Sequence, residues 1–442
     1  MTSSDEPPPK RTRPGEKPRT GTCAFADRIA RVACERYAEL VASSSCPRER
    51  VPTRTVLAAF VAYDRITDTA RVISLGVGTK TIARDVAITG HEILDAHAEV
   101  LARRGLKKFF FESLRRRRKK DSTDDDGIVD VTDDGVMCVR ENISLHLYVS
   151  SAPCGNACVR RWAKGKSTER RRESLGERGT PSEPHVKLQR SACDAGQVAL
   201  CVKIVKSSKD DALPEDVQRM CDRGELAPGT APVGSALGVS LTCSDKLCVW
   251  NVVGYQGALL RAFMPEPLHV ASITVGRKFS EPHLCRAMCC RVDGFTSSDG
   301  AFVARHPALM ETAVVFDDVP MDAEEGATFD NPFAMVWCAH DDDAEILDGK
   351  TGTSSADGAP SSTCKAALFD AYNRAKGGSV AYTHDAYARA KRDADNGAYD
   401  AAKDELFNHP KMFEPRRGCA GWRESKRERT SGYARRRRLD DD

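Results

Sequence analysis

Long apolar runs are missing from this 442-residue sequence. The longest, such as Val56 to Tyr63, are strand-sized and far short of the ~20 residues that span a bilayer, so no membrane segment or membrane partner is expected. The first 22 residues are polar and proline-rich and lack the apolar core of a secretory signal. No Cys-x-x-Cys pair occurs among the 17 cysteines, and their number is odd. Without a secretory signal this argues against a disulfide framework and for a soluble, intracellular protein, nuclear and/or cytoplasmic, in a reducing compartment. Metal ligation is then the first use to test for some of those cysteines. Internal repeats are absent too.

The hydrophobic content of 40% can bury a sizeable core, while 30% charge points to polar insertions. The net charge of +3 hides a separation of signs. Basic runs (Arg115 to Lys120, Arg170 to Arg172, Arg435 to Arg438) alternate with acidic ones (Asp124 to Asp126, Asp341 to Asp343, Asp440 to Asp442). Such runs are commonly solvated insertions, and a role in attracting RNA needs support from elsewhere.

Residues 1–22 are expected to form a disordered, basic tail, in which Pro8 to Pro14 could serve nuclear import. A single domain is expected over 23–426, interrupted by low-complexity insertions near 115–140, 163–195, 206–238 and 350–362, with a charged tail at 427–442. Phe25, Ile29, Val32, Cys34, Tyr37 and Leu40 keep helical spacing. The β-branched runs Thr55 to Tyr63 and Arg71 to Val77 read as strands, as do Ile143 to Ser150, Val198 to Val205, Ala271 to Val275, Thr312 to Phe316 and Phe333 to Cys338. Helices are expected over Asp95 to Leu114, Cys243 to Phe263, Lys365 to Lys376 and Ala386 to Phe407. The alternation predicts an α/β fold with one sheet between helices.

Among ten histidines only His97 is followed two residues later by Glu. Residues two apart do not share a helix face, so His97 and Glu99 converge only where the chain enters a helix, with Asp95 as a plausible cap. Pro153-Cys154-Gly155 stands at a second strand-to-helix junction, where backbone N–H groups and the helix dipole favour a thiolate. His-x-Glu followed by Pro-Cys-x-x-Cys is the signature of zinc nucleobase deaminases. Cys158 lies four residues after Cys154, one too many for that pair, so the third ligand must be sought elsewhere.

Ser151-Ala152-Pro153-Cys154-Gly155-Asn156-Ala157-Cys158, followed far downstream by Leu241-Thr242-Cys243-Ser244-Asp245-Lys246, resembles the adenosine deaminases acting on RNA. Gly76 to Lys80, His97 to Val100 with Arg103-Arg104, Trp250 to Gly257, Cys364 to Leu368 and Tyr399 to Lys403 extend the resemblance over about residues 25 to 426. It implies Cys243, rather than Cys158, as the third ligand beside His97 and Cys154. Two thiolates and one imidazole leave an open position on Zn2+, the arrangement of a catalytic site. Water activated there would attack C6 of adenine, Glu99 would carry the protons, and the product would be inosine.

The resemblance further implies a cytidine-deaminase-like, three-layer α/β/α core with a mixed sheet and a C-terminal helical region. That core would enclose inositol hexakisphosphate, held by Arg103, Arg104, Lys246, Lys365, Tyr387, Lys391, Tyr399, Lys403 and Trp422. Asp95 and Lys246 match the pair that joins the zinc region to that cage. Val249, Leu94 and Ala258 depart from the family pattern of arginine, asparagine and serine. Lys80 and Thr79 match RNA-contacting positions, and Val56 one that lines the adenine pocket.

Only about 24 residues precede the first predicted helix, too few for a double-stranded-RNA-binding module, so none is expected. The start Ala26 to Ala30 and the Gly-x-Gly-Thr-Lys loop resemble the branch that acts on tRNA, at the adenosine 3′ of the anticodon of alanine tRNA. The rival readings are an editor of duplex messenger RNA and an RNA-binding pseudo-deaminase with a structural zinc. The carboxylate of Glu99 argues against the second. A deaminase of free nucleosides is disfavoured by the basic insertions and the missing Cys-x-x-Cys pair.

Overall fold

A computed structural model describes residues 23–42, 48–53, 55–82, 88–118, 125–155, 157, 201–204, 215, 219, 230–232, 239–316 and 331–409. Helix α1 (Ala24–Ala42) opens this part of the chain and buries Ile29, Ala30, Ala33, Tyr37 and Leu40 on one face. Strands β1 (Leu57–Asp64) and β2 (Thr69–Val77) form a hairpin. Its turn is closed by the Asp64 carboxylate, which accepts the Ile66 N–H at 2.8 Å. Two short strands, β3 (Thr79–Thr81) and β4 (Asp95–His97), lead into helix α2 (Ala98–Arg117). The hairpin β5 (Val129–Val131) and β6 (Met137–Val139) precedes strand β7 (Ile143–Ser151).

Strands β8 (Cys201–Ile204), β9 (Thr230–Pro232) and β10 (Val239–Ser240) make a small separate sheet. Helix α3 (Cys243–Val253), strand β11 (Ser272–Arg277), helix α4 (Glu281–Met288) and strand β12 (Ala308–Glu311) follow. Then come β13 (Phe333–Cys338), β14 (Glu345–Asp348), β15 (Thr353–Ser354) and helices α5 (Lys365–Ala375), α6 (His384–Asp393) and α7 (Ala398–Asn408).

The main sheet runs β12-β11-β7-β1-β2-β13-β14-β15. It is mixed: β11 lies parallel to β7 and β12, and the other pairs are antiparallel. Alternation along β1 divides the core into two layers. Leu57, Ala59 and Val61 face α1, while Ala58, Phe60 and Ala62 join the cluster built by α2, α3 and the C-terminal helices. The arrangement is the expected mixed sheet between helices. Gly76 of β2 sits where any Cβ would run into the Ala98–Ala102 backbone, so α2 lies directly on the sheet. No described helix is long and apolar enough to cross a membrane.

Several expected elements differ. Asp95–His97 is strand, because its backbone pairs with Thr79–Thr81, and α2 begins only at Ala98. Asp95 is therefore no helix cap; its carboxylate accepts the His97 N–H at 3.0 Å instead. Within 115–140, the stretch Val129 to Val139 is an ordered hairpin with Ile128, Val129 and Met137 buried in the main core. The helix expected to Phe263 stops at Val253, where Gly254 takes a φ of 86°.

Thr312 to Phe316 is not strand; Asp27 of α1 accepts the Thr312 hydroxyl and the Ala313 N–H, at 2.6 and 2.8 Å, and draws the chain off the sheet edge. The single helix over Ala386 to Phe407 is two, separated by Asn396 and Gly397 at φ of 55° and 81°. Asp395 organises that break: it accepts the Tyr399 N–H at 2.9 Å and pairs with Arg261 at 2.6 Å in a buried bridge. The insertion near 163–195, both tails, most of 206–238, and Cys158 and Trp422 lie outside the described residues. In 350–362 a two-residue strand, β15, pairs with β14.

Candidate active site

Three segments meet at the start of α2. His97 arrives on β4, held in register against β3 by the pairs Thr79↔His97, Lys80↔Ala96 and Thr81↔Asp95. Its ring Nδ1 lies 2.7 Å from Asp95 Oδ1 and 3.2 Å from the Lys80 carbonyl, which fixes the imidazole plane. The other carboxylate oxygen of Asp95 bonds the ammonium of Lys246 on α3. Asp95 thus joins an imidazole to a cation in an almost buried position.

Cys154 follows the end of β7, where the Ala152 N–H bonds the Arg277 carbonyl at 2.9 Å. Cys243 is the first residue of α3, and Thr242 and Asp245 cap that helix with a reciprocal capping box. The Cys243 N–H donates to Cys154 Sγ at 3.3 Å. Ser244 clasps the same loop: its hydroxyl donates to the Cys154 carbonyl at 2.7 Å and accepts the Ala157 N–H at 3.1 Å. Gly155 takes a φ of +95°, and a Cβ there would fall inside the Thr242 side chain. The two cysteine loops are in direct contact.

His97, Cys154 and Cys243 each present a ligand atom within 4.8 Å of the other two. Two sulfurs and an imidazole nitrogen at that spacing suit a tetrahedral zinc with one position left over. Glu99, in the first turn of α2 and only 3% exposed, follows His97 by two residues. Val56 stands at the same edge, its carbonyl accepting the Gly78 N–H at 3.1 Å, beside Thr79 and Lys80 on β3.

A second set of predicted residues gathers behind α2. Arg103 donates to the Tyr255 carbonyl at 2.7 Å and lies over the Trp250 ring, and Arg104 donates to the Thr363 carbonyl at 2.6 Å. Lys107, on the same face of α2, is held well below its ordinary pKa, first by burial and then by the charges of Arg103, Arg104, Lys365 and Lys391. Burial and Lys391 likewise bring Lys403 down to about 8. Lys391 itself is raised, since Asp400, bonded at 2.8 and 3.0 Å, outweighs the cost of burial. Tyr387, raised by burial, stands among these cations with Tyr399. Crowded cations that depress one another's proton affinity fit a polyanion. Val249 and Ala258 are buried in the neighbouring core, and Leu94 is half-buried beside Asp95.

Lys107 was missed in the sequence, although it follows Arg103 by four residues and so shares its helix face. Arg291 was missed as well. It pairs with Asp245 at 2.7 Å in a fully buried bridge under the first turn of α3. Nothing in the spacing of the two residues betrays it.

The adenosine-deaminase (editase) domain model matches residues 74–414. A double-stranded RNA-specific adenosine deaminase of Mus musculus is 30% identical over 68% of this chain and 24% of its own length. The tRNA-specific adenosine deaminase 1 of Drosophila melanogaster is 30% identical over 52% of this chain and 51% of its own length. For the Homo sapiens protein of that name the figures are 24%, 71% and 78%. The chain thus spans about a quarter of the mouse enzyme. With the match covering most of the described core, from β2 through α7, the chain belongs to the adenosine-deaminase (editase) domain family.

Proposed function

We propose that the chain is a zinc-dependent hydrolytic deaminase that converts adenosine to inosine in tRNA, at the adenosine 3′ of the anticodon of alanine tRNA. The observation that carries the chemistry is the convergence of His97, Cys154 and Cys243 at the helix start that buries Glu99. Zinc bound by those three residues supplies Lewis acidity that makes a proton of water labile near neutral pH. Glu99 would take one proton of the water and deliver it to the adenine ring nitrogen as the water oxygen bonds to C6. It would then pass the second proton from that oxygen to the amine as the C6–N bond breaks, so that adenosine and water become inosine and ammonia. Asp95 keeps the imidazole oriented through each turnover.

Val56 would border the base, Thr79 a 2′-hydroxyl and Lys80 a phosphate, all on the edge that also carries His97. Arg103, Arg104, Lys107, Lys246, Lys365, Tyr387, Lys391, Tyr399, Lys403 and Trp422 would enclose inositol hexakisphosphate. The depressed proton affinity of Lys107 and Lys403 supports that reading.

The tRNA assignment draws on the 30% and 24% identity to the tRNA-specific relatives. An adenosine in a single-stranded loop also costs less to extrude than one in a duplex. The 30% identity to the mouse double-stranded RNA-specific enzyme favours duplex RNA as the second reading. Incubating the protein with folded alanine tRNA and, separately, with a long RNA duplex, then sequencing for inosine, decides between them. Inosine at the single anticodon-loop position is expected. Inosine scattered along the duplex with none in the tRNA would overturn the assignment.

A further inference from the structure

The helix that supplies Cys243 rests on a buried charge. Asp245 stands in the first turn of α3 and is 1% exposed, and its two carboxylate oxygens have separate tasks. Oδ2 accepts the Thr242 hydroxyl at 2.6 Å and the Thr242 N–H at 3.3 Å, while the Thr242 hydroxyl oxygen accepts the Asp245 N–H at 3.2 Å. Oδ1 lies 2.7 Å from Nη2 of Arg291. Arg291 belongs to the short turn Cys290–Val292 that follows α4, and it is 6% exposed. Its Nε donates to Cys248 Sγ, one turn further along α3, at 3.4 Å. Asn251 ties the same two segments again, its side-chain amide donating to the Met288 carbonyl at 3.0 Å.

A carboxylate this deeply buried is stable only beside a fixed cation. A guanidinium is always charged, and its planar fork reaches Oδ1 and the Cys248 sulfur at once. An amide at position 245 would turn its NH2 towards either Thr242 or Arg291, both of which donate. The pair is thus specific in its chemistry as well as its charge.

The cap in turn sets the metal ligands. Thr242 fixes the backbone from which Cys243 opens the helix, and its side chain occupies the space that Gly155 leaves beside Cys154. Ser244, in the same turn, holds the Cys154 carbonyl. A shift of this turn therefore moves the two sulfurs relative to each other.

We infer that Arg291 is a positioning residue for the metal centre: it holds Asp245, Asp245 holds the Thr242 cap, and the cap sets Cys243 against Cys154. The inference rests on the reading of His97, Cys154 and Cys243 as zinc ligands. Arg291 supplies no ligand atom and acts through Asp245.

The test follows zinc as it leaves the full chain for a chromophoric chelator, counting only the zinc that Cys243→Ala lacks. Arg291→Met should release that zinc about 10–100-fold faster than wild type, the usual effect of removing a group that orients a ligand. Arg291→Lys keeps the charge without the fork, so its rate should fall between the two. Hydrogen–deuterium exchange should quicken at the amides of 242–246 in both variants and stay unchanged in β1. Arg261→Met breaks another buried bridge, to Asp395, and should leave release and cap exchange as in the wild type. Asp245→Asn combined with Arg291→Met should release zinc no faster than Asp245→Asn alone, because both changes act on one chain of contacts.

Effects that multiply in the double variant, or equal release from Arg261→Met, would overturn the inference. So would wild-type release from Arg291→Met, or from Arg291→Lys where the methionine variant is insoluble. A wild-type chain with no Cys243-dependent zinc would instead sink the zinc reading, and the inference with it.

Discussion

The backbone N–H of Cys243 donates to the sulfur of Cys154 at 3.3 Å, although the two residues stand 89 positions apart. A sulfur that accepts such a bond, beside the positive end of a capped helix, is favoured as a thiolate. Both cysteines are therefore expected to ligate, and Cys158 is not. Cys243→Ala should lose active-site zinc and deamination together, while Cys158→Ala keeps both. Paired metal analysis and inosine assays check this, and the opposite pattern would move the third ligand to Cys158.

Glu99 should separate metal binding from chemistry. Glu99→Ala is expected to keep its zinc and its melting temperature while deamination falls about 10²–10⁴-fold, the usual worth of a positioned acid and base. Turnover near the wild-type rate would take Glu99 out of the mechanism.

Asp95 holds both His97 and Lys246, so its removal should act on the metal without touching a ligand. Asp95→Asn is expected to weaken zinc binding about 10–100-fold, as measured by competition with a chelator. Unchanged affinity would reduce the pair to a structural bridge.

Lys403 gives the cation cluster a pH signature. Its pKa of about 8 in the folded chain lies below the ordinary 10.5. The cost of holding its charge is fully present below pH 8 and is relieved as pH climbs towards 10.5. A chain stripped of polyanion should therefore gain stability across that window. Inositol hexakisphosphate favours the charged lysines, so it should raise the melting temperature more at pH 7 than at pH 10. Thermal melts at both values measure this, and an equal rise at both would count against the cage. Lys403→Glu should give insoluble protein.

The parts legible in the sequence were those with a local signature. Helical spacing marked α1, β-branched runs marked β1 and β2, and short motifs picked out His97, Glu99 and Cys154, while Cys243 came from the family resemblance. What escaped depended on distant partners. The hairpin Val129–Val139 hides its few apolar residues in acidic sequence, and only the core beneath shows why they are buried. The break between α6 and α7 turns on Asp395, whose buried partner Arg261 is 134 positions away. Strand β4 forms only because β3 offers a backbone to pair with, so local sequence read as helix.

The clasp between Gly155 and Thr242, with Ser244 bonded to both sides, has a mechanical corollary. It fastens the Cys154 loop to α3 by direct contacts between residues as much as 90 positions apart in the sequence. A protease nick within that span, or its replacement by a short flexible linker, should leave the two cysteines where they are. The centre behaves as a buckle rather than as the end of a long rope, and the strap may change length while the buckle stays shut.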